Sequence, residues 1–220
     1  MRLTLNSLFL PPFVNRVKAI TRHARYLLFF SVFTVGIIST AFSQDITREY
    51  TIKRKGDVVG HTLFTHASSA STTTLVLTSD VKAWFVVTFQ ANAREEAVFE
   101  NEILTRSSIY RKMNGNEKVN KTTTLNGNRY LIRKGSKQEI LDSYPIHFNL
   151  LSLYAFEPKR ISKVYSDNYE KFFDVHKIGD QHYKVNFPGG NFTEYFYQNG
   201  ICVKVHVHHS LYEVVIELIR

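Results

Sequence analysis

Residues 143–158 read S-Y-P-I-H-F-N-L-L-S-L-Y-A-F-E-P, and this segment interrupts a chain that otherwise has the pattern of short strands. Pro145 suits the first turn of a helix, where its missing N–H is not needed. Apolar residues follow at helical spacing, and Pro158 disfavours helical backbone at the residue before it. The spacing therefore predicts one apolar helix over 145–156. A buried strand is the alternative interpretation, because short apolar runs fit both structures.

Alternation of apolar and polar residues on both sides of this segment indicates β-strands, and turns rich in Gly and Asn separate them. The Asn114-Gly115 pair best fits a type I′ hairpin turn. The run 81–91, V-K-A-W-F-V-V-T-F-Q-A, is the most hydrophobic and is expected to form one central strand. The predicted fold class is all-β with one short helix. The strands are expected to form an antiparallel meander that makes an open barrel or a strongly curved sheet around the single apolar helix.

The first 43 residues have the layout of a secretory signal peptide. Five basic residues and no acidic residue fall within them, and an uncharged, mostly apolar run ends at Ala41-Phe42-Ser43. Cleavage after Ser43 is expected, which leaves residues 44–220 as a single β-rich domain without a transmembrane segment. The alternative is an uncleaved anchor, because about twenty apolar residues can span a bilayer. Both interpretations predict an exported protein, in the periplasm or outside the cell.

The charge of the chain gives no indication of nucleic-acid binding. The formal net charge is +9, but without the five basic residues of 1–43 it is +4, from 23 basic and 19 acidic residues. No dense stripe of Lys and Arg remains, so nucleic acid is not an expected partner. Cys202 is the only cysteine, which excludes an intramolecular disulfide, and we interpret it as a small core residue.

The sequence carries no pattern typical of an enzyme. Motifs of serine hydrolases, metalloproteases, P-loop NTPases and dinucleotide-binding folds are missing, so we predict no catalytic residues and no cofactor. The acidic pairs Glu95 with Glu96 and Asp167 with Glu170 lie in charged breaks between strands. We interpret them as solvated, because paired catalytic carboxylates need a defined separation across a cleft.

Two histidines are the best candidates for metal ligands. His206 and His208 share one face of a predicted strand. A structural zinc site needs four ligands and a catalytic one three, so the pair is interpreted as a solvated strand face and no metal site is predicted. A metal-dependent enzyme that uses these two residues remains a third hypothesis for the function.

Aromatic residues make up 14% of the chain, which is enough to line a cavity between helix and sheet. The predicted ligand-binding residues are Trp84, Phe89, Phe148, Leu151 and Tyr154. We expect a non-catalytic module that binds an apolar or amphipathic small molecule or a lipid. In the alternative interpretation these rings only pack against one another. The protein is then a structural or partner-binding protein of the cell envelope, whose edge strands recruit another envelope protein.

Several motifs occur in a familiar order: L-Y-x-F-E-P at 153–158, V-Y-S-D at 164–167, H-Y-K-V-N-F-P-G-G-N at 182–191 and Y-x-N-G-I at 197–201. This order resembles an uncharacterised family of exported bacterial β-sheet proteins, a domain of unknown function. More distantly, the layout is similar to periplasmic open β-barrels that wrap a helix, some of which carry lipids. The resemblance implies an exported, sheet-rich protein without an assigned activity.

Overall fold

The computed structural model describes residues 44–84 and 88–219, and most of these residues are in strands. The strands are β1 (Gln44–Arg54), β2 (Asp57–Ser69), β3 (Thr72–Trp84), β4 (Thr88–Glu100), β5 (Ile103–Met113), β6 (Asn116–Asn126), β7 (Arg129–Lys134), β8 (Lys137–Leu141), β9 (Lys163–Ser166), β10 (Lys171–Gly179), β11 (His182–Asn186), β12 (Phe192–Gln198), β13 (Ile201–His209) and β14 (Tyr212–Leu218). One short α-helix, α1 (Ser152–Ala155), lies between β8 and β9, and a 3₁₀ turn at Pro188–Gly190 precedes β12.

All fourteen described strands belong to one antiparallel sheet, with the order β8-β7-β6-β5-β4-β3-β2-β1-β14-β13-β12-β11-β10-β9. Two meanders, β1–β8 and β9–β14, are therefore joined by the pairing of β1 with β14. The edge strands β8 and β9 do not pair with each other, so the sheet is open. The prediction of an all-β, antiparallel, open sheet with one short helix is confirmed.

The predicted hairpin turn between β5 and β6 is also confirmed. Asn114 and Gly115 both have positive φ, +49° and +79°, as a type I′ turn requires. The flanking residues Met113 and Asn116 are directly opposite each other in the ladder. Asn and Gly tolerate this left-handed backbone better than other residues, which is why the pair was a strong local signal.

The prediction of a single central strand over 81–91 is wrong. Trp84 of β3 pairs with Thr88 of β4, so the hydrophobic run passes from one strand into the next. Lys82 and Gln90 are exposed, which shows that the two strand ends are not covered on both faces. The run contains no Gly, Pro or Asn, so nothing in its composition marked the change of direction.

The helix is much shorter than predicted. It spans Ser152–Ala155 rather than 145–156, and the residues before it make hydrogen bonds to the sheet instead. The carbonyl oxygen of Ile146 accepts from the N–H of Leu104 at 2.8 Å, and the N–H of Ile146 donates to the hydroxyl oxygen of Tyr130 at 3.1 Å. Backbone groups with partners in the sheet are not available to a helix, and the spacing of apolar residues cannot show this competition.

Two buried polar side chains shape the turn that leads into α1. The side-chain carbonyl of Asn149 accepts from the N–H of Ser152 at 3.3 Å, while the hydroxyl oxygen of Ser152 accepts from the N–H of Asn149 at 3.2 Å. Asn and Ser side chains readily replace backbone partners in this way, so the helical turn begins here and not at Pro145.

α1 packs on one face of the sheet, called the inner face below. The ring of Tyr154 lies 5.8 Å from that of Tyr50, 5.7 Å from that of Phe64 and 6.2 Å from that of Tyr195, measured between centroids. These partners come from β1, β2 and β12, on both sides of the pairing between β1 and β14. The helix therefore connects the two meanders through one aromatic cluster, and such ring contacts add to the hydrophobic gain of burial.

Candidate functional site

A cavity of about 210 Å³ lies between the α1 segment and the inner face of the sheet. Both meanders contribute to its walls, together with the turn between β9 and β10, which is called the 167–170 turn below. The cavity is lined by Leu77, Glu95, Ile109, Arg111, Leu150, Leu151, Tyr154, Asp167, Asn168, Thr193, Tyr195, Val205 and Val207.

The two sides of the cavity differ in chemistry. β12 and β13 contribute mainly apolar surface, including Val205 and Val207, and Leu151 adds to it from the α1 segment. The charged lining residues, by contrast, all come from β4, β5 and the 167–170 turn. The cavity therefore has an apolar side and a polar side, an arrangement that suits an amphipathic molecule.

An arginine spans the polar side. One terminal nitrogen of Arg111 donates to the Glu95 carboxylate at 2.5 Å, and the other donates to the side-chain oxygen of Asn168 at 3.1 Å. The side chain of Arg111 is 35% exposed and Asn168 is exposed, so this pair lies where the cavity lining meets solvent, which is called the mouth below. The guanidinium fork thus bridges the mouth from β5 to the 167–170 turn.

Asp167 is the polar group with the most perturbed environment. Its carboxylate accepts hydrogen bonds from the hydroxyl of Ser107 and, at 3.2 Å, from the side-chain amide of Asn149. Burial raises the pKa of Asp167 to about 6, and the nearby Glu95 carboxylate acts in the same direction, while the Lys121 ammonium and the two hydrogen bonds oppose it. The charge of this group therefore changes around pH 6.

Two lysines hold the 167–170 turn against β6 and β7. The ammonium of Lys121, only 10% exposed, donates to the carbonyl oxygens of Asp167 at 2.8 Å and Asn168 at 3.3 Å, and it also contacts the Glu170 carboxylate. Lys134 donates to the other oxygen of Glu170 at 2.8 Å. Burial alone would raise the pKa of Glu170, but the hydrogen bonds and charges of the two lysines lower it. A turn near one sheet edge is thereby tied to strands near the other edge.

The structure places the five predicted ligand-binding residues differently. Leu151 and Tyr154 are buried and line the cavity. Phe89 is half-buried and Phe148 is 36% exposed, and neither is among the lining residues. The side chain of Trp84 lies outside the described part of the structure. Ligand binding by these residues stays a prediction.

The polar side of the cavity was missed at the level of sequence. Glu95 is directly opposite Leu77 of β3 and Ile109 of β5, so it points to the inner face and not into a solvated break. Asp167 reaches Ser107, sixty residues away in the chain. Extending the alternation of β4 through its charged residues would have placed Glu95 correctly, whereas no local signal reveals the contact of Asp167.

The histidine pair does not form a metal site with its neighbours. His206 contacts the Glu213 carboxylate at 2.5 Å and lies 3.9 Å from that of Glu194, while His208 stacks on Phe192. Within the described residues, no group of three or more His, Cys, Asp or Glu side chains could hold a metal ion. Cys202 is fully buried in the core, as predicted, and burial raises the pKa of its thiol to about 12.

The fold and the cavity define an all-β protein in which an open antiparallel sheet and a short helix enclose a small amphipathic space. The chain belongs to the family described as a domain of unknown function (DUF6134), whose sequence profile matches residues 50–219. This membership confirms the resemblance to a family of sheet-rich proteins without an assigned activity. No protein matched in a search of the curated proteins.

A solved structure shares the architecture. The chain is similar to the beta-barrel-like protein of domain of unknown function DUF1849 from Brucella abortus, with a TM-score of 0.51 and 10% sequence identity. The alignment covers 82% of this chain and 97% of that one. At this identity the likeness concerns the fold alone. Within residues 44–84 and 88–219, no helix is both long and apolar enough to cross a membrane.

Proposed function

We propose that this protein is an exported, non-catalytic binding module that holds a small amphipathic molecule in the cavity between the α1 segment and the sheet. The observation that carries this proposal is the division of the cavity into an apolar side, from β12 and β13, and a polar side around Arg111. Such a division orients a ligand, because its apolar part leaves water while its polar part keeps hydrogen-bond partners.

The size of the cavity limits the ligand. About 210 Å³ is below the range of roughly 300–1,000 Å³ that is usual for sites of drug-sized molecules. A compact amphipathic molecule, or part of one acyl chain of a larger lipid, is therefore the occupant that fits. Larger lipids would leave their headgroup outside the mouth at Arg111 and Asn168.

The polar residues support binding rather than chemistry. Arg111 is held by Glu95 and Asn168, and Asp167 accepts hydrogen bonds from Ser107 and Asn149. Groups fixed in this way can position a ligand. The described lining residues include no serine, cysteine, histidine or lysine, so they contain no nucleophile paired with a histidine or lysine base.

Binding is tested by titrating residues 44–220 with decanol, decanoate and decylamine and counting bound molecules by native mass spectrometry. Val207→Phe fills the cavity from β13, and Val58→Phe is the control at an exposed position of β2. We expect one molecule per chain, a loss of about tenfold in affinity in the Val207 variant, and no change in the control. Absence of binding for all three compounds would exclude the proposal.

Export is a separate part of the proposal, and its support is the basic and apolar pattern of residues 1–43. Expression of the full chain in a Gram-negative bacterium, followed by fractionation and mass measurement, tests it. We expect a periplasmic or extracellular product that begins at Gln44. A cytoplasmic product of full length would contradict export.

Recruitment of another envelope protein is the second candidate function. It is favoured by the outer edge of β8, which has no strand partner among the described residues. Ile140 on this strand is 58% exposed, and an exposed edge can accept a strand from a partner. The other edge is different, because Tyr165 of β9 forms a parallel bridge with Asn149. Loss of a crosslinked partner from cell envelopes on Ile140→Lys, but not on Val207→Phe, would support this candidate over ligand binding.

A further inference from the structure

The two ends of the open sheet come together through side chains. β8 and β9 do not pair, yet the 167–170 turn contacts β5, β6 and β7. In the described part of the chain, the hydrogen bonds between this turn and those strands come from side chains of the strands: Ser107, Arg111, Lys121 and Lys134. A junction of this kind can part without breaking the backbone ladder of any strand pair.

The same junction forms part of the cavity wall. Asp167 and Asn168 line the cavity from the turn, and Arg111 lines it from β5. The hydrogen bond between Arg111 and Asn168 crosses the mouth. Separation of the turn from β5–β7 would therefore widen the entrance directly.

The turn is also held to its own meander, by aromatic contacts and a backbone hydrogen bond. Its Tyr169 ring stacks on Phe187 and meets Phe173 edge-on, with centroids 5.3 Å apart in each case. The N–H of Glu170 donates to the carbonyl oxygen of Ser166 at 2.7 Å. These contacts keep the turn folded on its own meander. The contacts to β5–β7 are polar and partly exposed, and water can replace them.

We propose that the 167–170 turn is a latch that opens and closes the cavity by parting from β5–β7. This proposal rests on the proposed function, because it describes how a ligand enters and leaves that cavity. In the closed state the side chains of Ser107, Arg111, Lys121 and Lys134 hold the turn. In the open state these side chains and the turn are hydrated, and the mouth is wider.

The chemistry of Asp167 makes the latch sensitive to pH. Three charged or titratable groups act on this carboxyl: Glu95 of β4, Lys121 of β6 and Tyr165 of β9. Arg111 of β5 lines the same cavity, and Glu170 lies in the same turn and contacts Lys121. The neighbouring Asn149 and Ser107 are neutral hydrogen-bond donors.

The direction of the effect follows from the proton affinity of the two states. Burial raises the pKa of Asp167 to about 6 in the closed state, whereas a hydrated carboxyl in the open state has an ordinary pKa near 3.8. The closed state therefore binds the proton more tightly. Acidic pH favours closure, and a rise through about pH 6 favours opening.

Entry of a small neutral fluorophore, 1-aminoanthracene, tests the latch by stopped flow at about pH 5 and pH 7.5. We expect the association rate of the wild-type protein to rise by about tenfold between the two conditions. Asp167→Asn keeps the shape of the side chain without its titration, so its rate should not change with pH. Glu170→Gln weakens the contacts to Lys121 and Lys134 and should admit the probe faster at both pH values. Asp174→Asn, at an exposed position of β10, is the matched control and should behave like the wild type.

A second measurement reports on the latch without any ligand. Lys121 is nearly buried in the closed state, so its rate of modification by an amine reagent, relative to that of the exposed Lys159, increases when the latch opens. We expect this ratio to rise with pH in the wild type but not in Asp167→Asn. An equal ratio in both proteins at both pH values would overturn the latch even if the probe binds. A changing ratio without probe binding would support the latch and contradict the proposed ligand-binding function.

Discussion

The hydroxyl of Tyr197 donates a hydrogen bond of 2.6 Å to the carbonyl oxygen of Leu153, inside the core. β12 is thereby connected to α1. Burial raises the pKa of the Tyr197 phenol far above its ordinary value, so the hydroxyl keeps its proton and remains a donor even in alkaline solution. Arg48 of β1 makes a comparable contact to the carbonyl oxygen of Tyr154 at 2.7 Å. Side chains of both meanders therefore satisfy the carbonyl groups of a helix of one turn.

Loss of the Tyr197 hydroxyl should destabilise the fold. In Tyr197→Phe the Leu153 carbonyl would lose its buried partner, and we expect the free energy of unfolding to fall by about 1–3 kcal/mol. Urea denaturation followed by far-UV circular dichroism measures this difference. Tyr144→Phe, which removes an exposed hydroxyl, should change stability by less than about 0.5 kcal/mol. Equal effects in the two variants would contradict the structural role of Tyr197.

The side chain of Leu153 should contribute more to the free energy of unfolding than the Tyr197 hydroxyl does. It is fully buried in the core, so Leu153→Ala should leave a cavity and cost about 2–5 kcal/mol. Leu211 is 82% exposed, and Leu211→Ala should change stability by less than about 0.5 kcal/mol. Urea denaturation measures both changes, as a shift in the midpoint while the dependence of the unfolding free energy on urea stays the same. A small loss for Leu153 would mean that α1 does not pack against the sheet.

Gly60 lies where β2 passes close to the backbone of β3. A Cβ atom on Gly60 would lie 2.2 Å from the carbonyl oxygen of Asp80 and 2.9 Å from the Cα of Val81. Because this is backbone that cannot rotate away, Gly60→Ala should cost about 1–3 kcal/mol or more. Gly135→Asn is the control, since nothing lies within 4 Å of that position and Asn tolerates its positive φ. Thermal melting of both variants distinguishes the close approach from a general need for glycine.

Asp167 should also make the stability of the protein depend on pH. Its pKa is about 6 in the folded protein and near 3.8 when unfolded, so the folded state binds more protons between these values. Stability contributed by this group is therefore present below about pH 4 and is lost as pH rises to 6, by at most about 3 kcal/mol. Urea titrations at several pH values should show this loss in the wild type and not in Asp167→Asn. If the stability of the wild type and that of Asp167→Asn depend on pH in the same way, the pKa of Asp167 in the folded protein is ordinary.

Much of the sheet followed from local sequence, because hairpins are determined by neighbouring residues. The Asn114-Gly115 turn is an example, since the backbone that the pair favours is the one that a type I′ turn needs. The prediction of a helix over 145–156 was wrong for the opposite reason. Leu104 and Tyr130, distant in sequence, provide the partners of Ile146 and hold this part of the segment on the sheet.

Only part of the candidate site could be predicted from the sequence, for the same physical reason. Leu151 and Tyr154 were correctly placed in the interior by hydrophobicity. Asp167, Arg111 and Glu95 have the composition of ordinary charged surface, and only the folding of a distant turn onto β5 makes them the polar side of a cavity. Their role depends on tertiary contacts that a single sequence does not encode locally.

The pairing of β1 with β14 also constrains how the protein assembles. The first meander can form from neighbouring hairpins while the chain is being synthesised. Its pairing with the second meander needs residues 215–218 of β14, which are opposite Tyr50 to Lys53 of β1 in the ladder. The pairing of β1 with β14 joins segments separated by more than 160 positions, and this step has a high entropic cost that slows folding. Until β14 has been synthesised, β1 has an exposed edge that can pair with strands of other chains and lead to aggregation. A chaperone that binds unfolded chains would therefore be most useful at this edge.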